Sequence, residues 1–452
     1  TSGLIPGGCR AEAPSRGAPD VSLLLFDCKK IGIAVPRSSF AIIFQQIIKA
    51  SVDLLRRGGY MASSLQDSTP SQKRIPVTIL GATGVVGQRF LRRIANHPWF
   101  YPAYLTGSER SVGKRYSDAC QWHLFSEAYA GLGDIIVVPS DPEHALAPIV
   151  FSALDAKAAR EIEPRFAAAG AYVFSNASAF RMEDDVPLII PEINPEHIGL
   201  LQDQKNRRKW KGAIITNPNC TTVMLASSLA PLHTVFGIDA VIMTSMQAIS
   251  GAGYPGIPAL DIMGNVIPYI SNEESKVECE SRKILGKLFS TPAGKTVVDS
   301  TFSVSATCTR VPIIDGHTLA ISVKLRNTAT LQDIQNVFSV FVPKTQGYAL
   351  PSAPRRFIRL STKIDRPQPL LDVNIDEGMS IFIGRLRECP ILDLKFVAMG
   401  NNVERGAAGA SVLNAEIALA LGAIQVPSSY LQEEGRKIRE GLLAGKETGG
   451  AA

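Results

Sequence analysis

The sequence predicts an α/β protein: a doubly wound parallel sheet, followed by a second part of α+β character. Three observations predict it. Residues 75–80, "IPVTIL", read as a buried strand that runs through a glycine turn into a helix. From there to about residue 218, strand-like and helix-like runs alternate, the pattern of a parallel sheet covered on both faces. After Cys220 the alternation gives way to long β-rich runs.

The elements follow in order. "GATGVVG" makes the turn, and "QRFLRRIANHP" is a helix stopped near Pro98. "AYLTGS", "DIIVVPS", "IVFSAL", "AYVFSN" and "PLIIPEIN" supply the second to sixth strands, with "DAKAAREIEPRFAAAG" a helix among them. The apolar run "GAII" leads into "ITNPNCTT", a strand-to-helix corner, and then into "VMLASSLAPLHTVF". In the second part "DAVIMTSMQAIS", "TFSVSATCTRVPIID" and "HTLAISVKL" are strands of a largely antiparallel or mixed sheet. Glu273 to Leu288 and "TLQDIQNVFSVF" are helices. "ERGAAGASVLNAEIALAL" is a helix whose small side chains allow close packing back onto the first part.

This gives a first domain over 75–218, completed by a helix at 404–425, a second over 219–400, and a tail over 426–452. Residues 1–74 read as a disordered N-terminal extension outside the fold. Its "VSLLLF" is too short to span a bilayer. "FAIIFQQIIKASVDLLRR" fits an amphipathic helix and leaves a targeting role open, although Met61-Ala62-Ser63-Ser64 looks like an ordinary start.

Composition excludes several classes. Of 452 residues 45% are hydrophobic and 19% charged, so the chain has a core and is not disordered overall. The net charge is +6 without a long Lys/Arg block, which argues against nucleic acid as the main partner. Seven cysteines lie scattered without C-x-x-C spacing, which fits a reducing, cytoplasmic setting and neither a disulfide framework nor a zinc site. No apolar run approaches 18 residues, so no transmembrane helix and no membrane partner are expected.

Two stretches carry chemistry. In Gly81-Ala82-Thr83-Gly84-Val85-Val86-Gly87 the glycines permit a tight turn and close backbone approach to a pyrophosphate at a helix start. After the second strand, Ser108, Arg110, Ser111 and Lys114 offer hydroxyls and positive charge to a 2′-phosphate, favouring NADP(H); Glu109, the nearby carboxylate, would instead take a ribose hydroxyl. The second stretch is the corner itself. Cys220 stands at a helix start after Asn219, where the helix dipole lowers a thiol pKa; the plainer reading of any cysteine is a small core residue. His317 follows the turn Asp315-Gly316, from which an imidazole reaches a cleft. Arg310 closes the preceding strand, where its fork suits a carboxylate.

A dinucleotide turn, then a helix-capped cysteine, then a histidine is the logic of aldehyde dehydrogenation through a thioester. The motifs "GATGVVGQRF", "SERSVGKRY", "SNASAFRMEDDVPLIIPEIN", "TNPNCTT", "MQAISGAGYPG", "NEESKVECES", "TRVPIIDGHT" and "RGAAGASVLNAE" run in order over about 75–425. With them the chain resembles the aspartate-semialdehyde dehydrogenase family, in its fungal and archaeal branch.

The resemblance implies a Rossmann-type NADP-binding domain and a catalytic, dimerising domain of the glyceraldehyde-3-phosphate-dehydrogenase kind. It implies Cys220 as nucleophile, His317 as acid/base and Gln247 as the group orienting the intermediate. Arg310 and Glu273 would bind the substrate's carboxylate and ammonium, with Glu274 an alternative to Glu273. Lys276 and Arg181 would meet phosphate, and Asn219 joins the substrate set. Ser152, Ser175, Asn176, Ser250, Gly251 and Asn401 would complete the cofactor site. The implied partners are small molecules and further copies of the chain, as a homodimer or homotetramer; no metal is implied. Rival expectations are a sister reductase of N-acetylglutamyl phosphate or malonyl-CoA, and a non-enzymatic NADP-binding regulator.

Overall fold

Ile75–Leu80 (β1) is buried from its second residue onward, because neighbours cover both of its faces. The computed structural model describes residues 74–124 and 128–427. The expectations for the extension, for a targeting segment within it, and for the tail from 428 onward lie outside the described residues.

Phe100–Thr106 (β2), Val137–Val138 (β3), Ile149–Ser152 (β4), Tyr172–Ser175 (β5) and Ala213–Thr216 (β6) join β1 in an all-parallel sheet of order β3-β2-β1-β4-β5-β6. The order reverses between β1 and β4, and ligands of such sheets bind at the carboxyl ends of the strands beside that point. Val85–Ala95 (α1), Ala156–Ala169 (α2) and Leu201–Arg208 (α3) connect the strands. Val77, Ile79, Phe90 and Phe151 form one buried layer; Leu80, Val150, Phe166 and Val173 form the layer on the other face.

Two expected strands change. "DIIVVPS" contributes only Val137 and Val138. "PLIIPEIN" is not the sixth strand: Pro187 and Pro191 lack amide donors, and the stretch makes a single bridge, Leu188 to Thr216. The sixth strand is Ala213–Thr216, the run that leads to the cysteine corner.

From Cys220–Phe236 (α4) the chain enters a second, mixed sheet. Its strands are Ile238–Gln247 (β7), Ser303–Arg310 (β10), His317–Leu325 (β11), Ile358–Leu360 (β12), Ile381–Glu388 (β13) and Leu394–Gly400 (β14). The order is β10-β7-β11-β14-β13-β12. A hairpin of Lys287–Thr291 (β8) and Gly294–Val298 (β9) stands apart. Glu273–Ile284 (α5) and Leu331–Val340 (α6) lie with α4 on one face, packing Val223, Val277 and Phe338 against Met243, Leu319 and Phe396. The other face is open, with Ile242 52% exposed. Both β10 and β11 flank β7, so the turn at Asp315-Gly316 carries the chain across the end of β7 and does not close a hairpin.

Ala408–Ala420 (α7) returns to the first sheet, with Ala408, Val412 and Ala415 beside Phe90, Leu91 and Ile94. A Cβ on Gly409 would lie 2.4 Å from the Met379 sulfur, so small residues set how close this helix comes. Among the described residues no helix is long and apolar enough to cross a membrane.

Candidate active site

β6 ends at Thr216 and α4 begins four residues later, at Cys220. Asn219 is the cap: its Oδ1 accepts the amides of Thr221 at 2.8 Å and Thr222 at 3.1 Å. His317, the first residue of β11, brings Nε2 to 3.3 Å from the Cys220 sulfur. The Ala248 amide donates to His317 Nδ1 at 3.1 Å. An amide only donates, so Nδ1 carries a lone pair and the neutral ring keeps its proton on Nε2, facing the sulfur. Burial, then Arg310, push the imidazole pKa down to about 3, so the ring is neutral.

The thiol differs from expectation. Burial, with Glu273 second, pushes Cys220 up to about 12. Arg181, Arg310 and the Thr221 amide act the other way and are outweighed. The helix start therefore does not lower the thiol in this site, because desolvation costs the anion more than the helix end returns.

Around this pair the strand ends deliver the remaining groups. Arg310 pairs in register with Gln247 where β10 and β7 end. Its Nη1 donates to the Ala248 carbonyl at 2.8 Å, and its buried Nε has no partner. Gly251 lies against both basic groups: a Cβ there would be 2.8 Å from Arg310 Nη1 and 3.1 Å from His317 Cε1. Glu273 Oε1 gathers Asn219 Nδ2 at 2.9 Å and Gln247 Nε2 at 3.1 Å, with Thr221 Oγ1 at 3.4 Å. Lys276 Nζ is 4.0 Å from Glu273 Oε2. Glu274 does not join them; it turns to β10 and accepts the Cys308 amide at 3.0 Å. Arg181 donates from Nη1 to Glu280 at 3.0 Å and from Nη2 to the Asn176 carbonyl at 2.7 Å, leaving a buried Nε unpaired.

The dinucleotide side is built from backbone. Gly81 has φ +70°, which an L side chain rarely adopts, and a Cβ on Gly87 would sit 2.3 Å from the Gly81 carbonyl oxygen. Gly84 caps α1 without a side-chain bond, and the first turn, with Val85 and Val86, holds no acid that would repel an anion. Ala82 is buried and Thr83 half-buried beside them. Ser152 Oγ, at the end of β4, is buried without a partner. This cradle and the free hydroxyl fit a dinucleotide. After β2, Ser108, Glu109, Arg110 and Lys114 are exposed, and Ser111 is buried.

Three expected cofactor residues are engaged elsewhere. Ser175 Oγ donates to Glu163 at 2.6 Å. Asn176 Oδ1 accepts from Asn217 at 2.9 Å and Ser411 at 3.2 Å. Asn401 turns into its own loop, where its Oδ1 accepts the amides of Val403 and Glu404. Its neighbour Asn402 instead reaches Ser250 Oγ at 2.9 Å. A cleft of about 910 Å³ runs between α1 and these loops, with Val85, Arg89, Ser250 and Tyr254 on its walls.

Sequence reasoning missed Glu280, Asn402, Gly406 and the Ala248 backbone. A Cβ on Gly406 would meet the Cys220 Cβ at 2.6 Å, so that glycine lets α7's leading loop close on the thiol. Glu280 stands seven residues after Glu273, on the same helix face, and that spacing was a usable signal. Away from these residues, Asp141, Glu143 and His144 offer ligand atoms within 4.8 Å of one another at a mostly exposed surface turn.

The chain matches two family models: semialdehyde dehydrogenase, NAD binding domain, over residues 76–201, and semialdehyde dehydrogenase, dimerisation domain, over 229–405. It is 49% identical over 344 residues to an aspartate-semialdehyde dehydrogenase of Archaeoglobus fulgidus, covering 76% of this chain and 98% of that protein. It is 44% identical over 362 residues to the one from Cryptococcus neoformans, covering 78% and 99%. A crystal structure of aspartate semialdehyde dehydrogenase with NADP from Candida albicans superposes with a TM-score of 0.71 at 39% identity, covering 77% of this chain and all of that one. The family models span the glycine turn and most of both sheets, the relatives cover about three quarters of the chain, and the chain belongs to the aspartate-semialdehyde dehydrogenase family.

Proposed function

We propose that this chain reduces L-4-aspartyl phosphate to L-aspartate 4-semialdehyde and phosphate with NADPH, reversibly, through a thioester on Cys220, in lysine, methionine and threonine biosynthesis. The observation that carries the reading is the Cys220 sulfur 3.3 Å from His317 Nε2. Two buried guanidinium Nε groups, of Arg181 and Arg310, lack partners in the same site and suit the oxygens of an anionic substrate.

Arg310 holds the substrate carboxylate and Glu273 the ammonium, while Lys276 and Arg181 meet the phosphoryl group. Cys220 attacks the acyl carbon and the carbon–oxygen bond to phosphate breaks. The thiol proton leaves with that oxygen, since phosphate departs as hydrogen phosphate. Gln247 and the Cys220 amide, the first of α4, steady the oxyanion. NADPH, when bound in the Gly81–Gly87 cradle, supplies the hydride that reduces the thioester. His317, neutral with its proton on Nε2, gives that proton to the tetrahedral oxygen, takes it back as the carbonyl re-forms and hands it to the departing sulfur, and is reprotonated from solvent.

In this reading residues 75–218 with 404–425 bind the cofactor, 219–400 carry catalysis and dimerisation, and the enzyme is a cytoplasmic homodimer or homotetramer. Leu260, Met263, Val266 and Tyr269, 54–97% exposed, give one segment an apolar surface for a second copy. The five described cysteines are free, as a reducing compartment requires.

The test is phosphate-dependent reduction of NADP by purified protein supplied with L-aspartate semialdehyde. Turnover dependent on both phosphate and Cys220 supports the reading. Turnover only with N-acetylglutamate semialdehyde, or only with coenzyme A in place of phosphate, moves the chain to a sister reductase. No turnover with any of them favours a binding protein.

A further inference from the structure

Glu273, Lys276, Glu280 and Lys283 recur at steps of three and four along α5 and so share one face. The first two belong to the site above. The last two are buried, 1% and 4% exposed. Glu280 spends one oxygen on each side of a junction: Oε1 accepts Arg181 Nη1 at 3.0 Å, and Oε2 accepts the Asn219 amide at 2.6 Å. Asn219 is the residue before the nucleophile. Lys283 Nζ grips the segment that carries Arg181, donating to the carbonyls of Arg181 at 2.7 Å, Glu183 at 2.8 Å and Val186 at 3.1 Å.

We propose that Glu280 is a positioning residue: its carboxylate ties the Arg181 guanidinium to the start of α4 and so aims the arginine's free edge at the reacting phosphoryl group. With Nη1 on Glu280 and Nη2 on the Asn176 carbonyl, the guanidinium plane is set, and only the buried Nε remains to be satisfied. The Cys220 thiol feels the Arg181 charge, which places the guanidinium in electrostatic reach of the sulfur. A buried ion pair is a poor source of net stability, because desolvation offsets its attraction. Its value here is orientation. The inference rests on the reading of Arg181 as a phosphate-binding group, and the experiment separates the two.

In the oxidative direction phosphate is a substrate, so its KM reads the Arg181 edge directly. Full-length Glu280→Gln keeps the shape but turns an amide N–H toward one of two donors. Its phosphate KM is expected to rise about tenfold or more, the loss of one charged hydrogen bond. The KM values for semialdehyde and NADP are expected to stay within about twofold. Glu280→Asp, which keeps the charge at shorter reach, recovers part of the loss. In an Arg181→Ala background Glu280→Gln adds no further rise, since the group it positions is gone.

If Arg181→Ala raises the phosphate KM and Glu280→Gln and Glu280→Asp do not, the inference fails. If both Glu280 variants lower Tm and worsen every constant together, Glu280 is structural only, and the inference also fails. If Arg181→Ala leaves the phosphate KM unchanged, the reading of Arg181 falls first and takes this inference with it. Should Glu280→Gln not fold, Glu280→Asp supplies the same comparison.

Discussion

The turn at Gly81–Gly87 and the corner at Asn217–Thr222 do the same job, joining a parallel strand to a helix start, by opposite means. The first is made of backbone. Its cap has no side-chain bond, and Gly81 and Gly87 are required because carbonyl oxygens stand 3.1 and 2.3 Å from where their Cβ atoms would go. The second is made of side chains from far along the chain: Glu273 is 54 residues on, Glu280 is 61 and His317 is 97. A backbone cradle binds whatever fits a helix end. A side-chain corner holds one reacting atom in place, and needs a second sheet to do so.

The largest effects test whether that division is real. Cys220→Ser is expected to cut turnover more than about a thousandfold, because a hydroxyl is a poorer nucleophile and forms an ester. Cys120, Cys279 or Cys308 to Ser should keep most activity. Residual turnover near wild type in Cys220→Ser would end the thioester reading. Gly87→Ala should act only on the other corner: a Cβ 2.3 Å from the Gly81 oxygen forces the turn apart. NADP affinity is expected to fall roughly ten- to hundredfold, as for overpacking of one to three kcal/mol. The rate of Cys220 alkylation by iodoacetamide should not change; if it falls in parallel, the corners are not independent. Arg310→Leu is expected to raise the KM for semialdehyde about ten- to a hundredfold. Arg310→Lys should not restore it, because one ammonium cannot reproduce the fork.

How much of this was legible follows the same division. The glycine turn, β1 and α1 could be read in place, because spacing and composition act within ten residues. Cys220 and Asn219 could be read as a capped helix start for the same reason. The thiol's raised pKa could not, since it comes from burial under a second sheet and from Glu273. The choice between Glu273 and Glu274 was equally closed, because adjacent helix residues point to different faces and only the packing of α5 says which face looks inward. "PLIIPEIN" misled because its apolar run satisfies a strand pattern while its prolines deny it a ladder. β12, β13 and the β8–β9 hairpin passed unnoticed, being short or half-exposed, and so did β14, seven mostly buried residues without a turn dipeptide to mark it.

A smaller effect concerns the seam beneath the cofactor side. Glu163 is buried under β4 and β5, and burial raises its pKa from 4.5 to about 7 against the opposing hydrogen bond of Ser175, the nearby Ser152 hydroxyl and the charge of Arg181. The folded chain therefore keeps a proton that the unfolded chain loses between those values. The stability this adds is full below about pH 4.5 and is lost as pH rises through 7, up to about 3 kcal/mol for such a shift. Glu163→Gln removes the titration. Its Tm relative to wild type should improve from pH 5.5 to pH 8. A difference that is flat with pH would show that Glu163 does not titrate between pH 5.5 and pH 8.

The smallest expected effect lies at the rim of the backbone corner, where Arg110 is expected to favour NADP over NAD. Arg110 is exposed and enters no ion pair among the described residues, as a guanidinium awaiting an anion would. A 2′-phosphate carries nearly two negative charges, and a fork can take two of its oxygens. Solvent screens the bond, so the contribution is closer to about tenfold than to the hundredfold of a buried pair. Glu109 is exposed as well, and would favour NAD if it turned inward. The measurement is kcat/KM with NADP and with NAD, in wild type, Arg110→Ala and Glu109→Gln. The wild type should prefer NADP, Arg110→Ala should lose about tenfold of that preference, and Glu109→Gln should leave it or sharpen it slightly. If Arg110→Ala keeps the full preference, Ser108, Ser111 or Lys114 carries it. If Glu109→Gln lowers it, the loop turns the other way and the side-chain rule extends to the cofactor's edge.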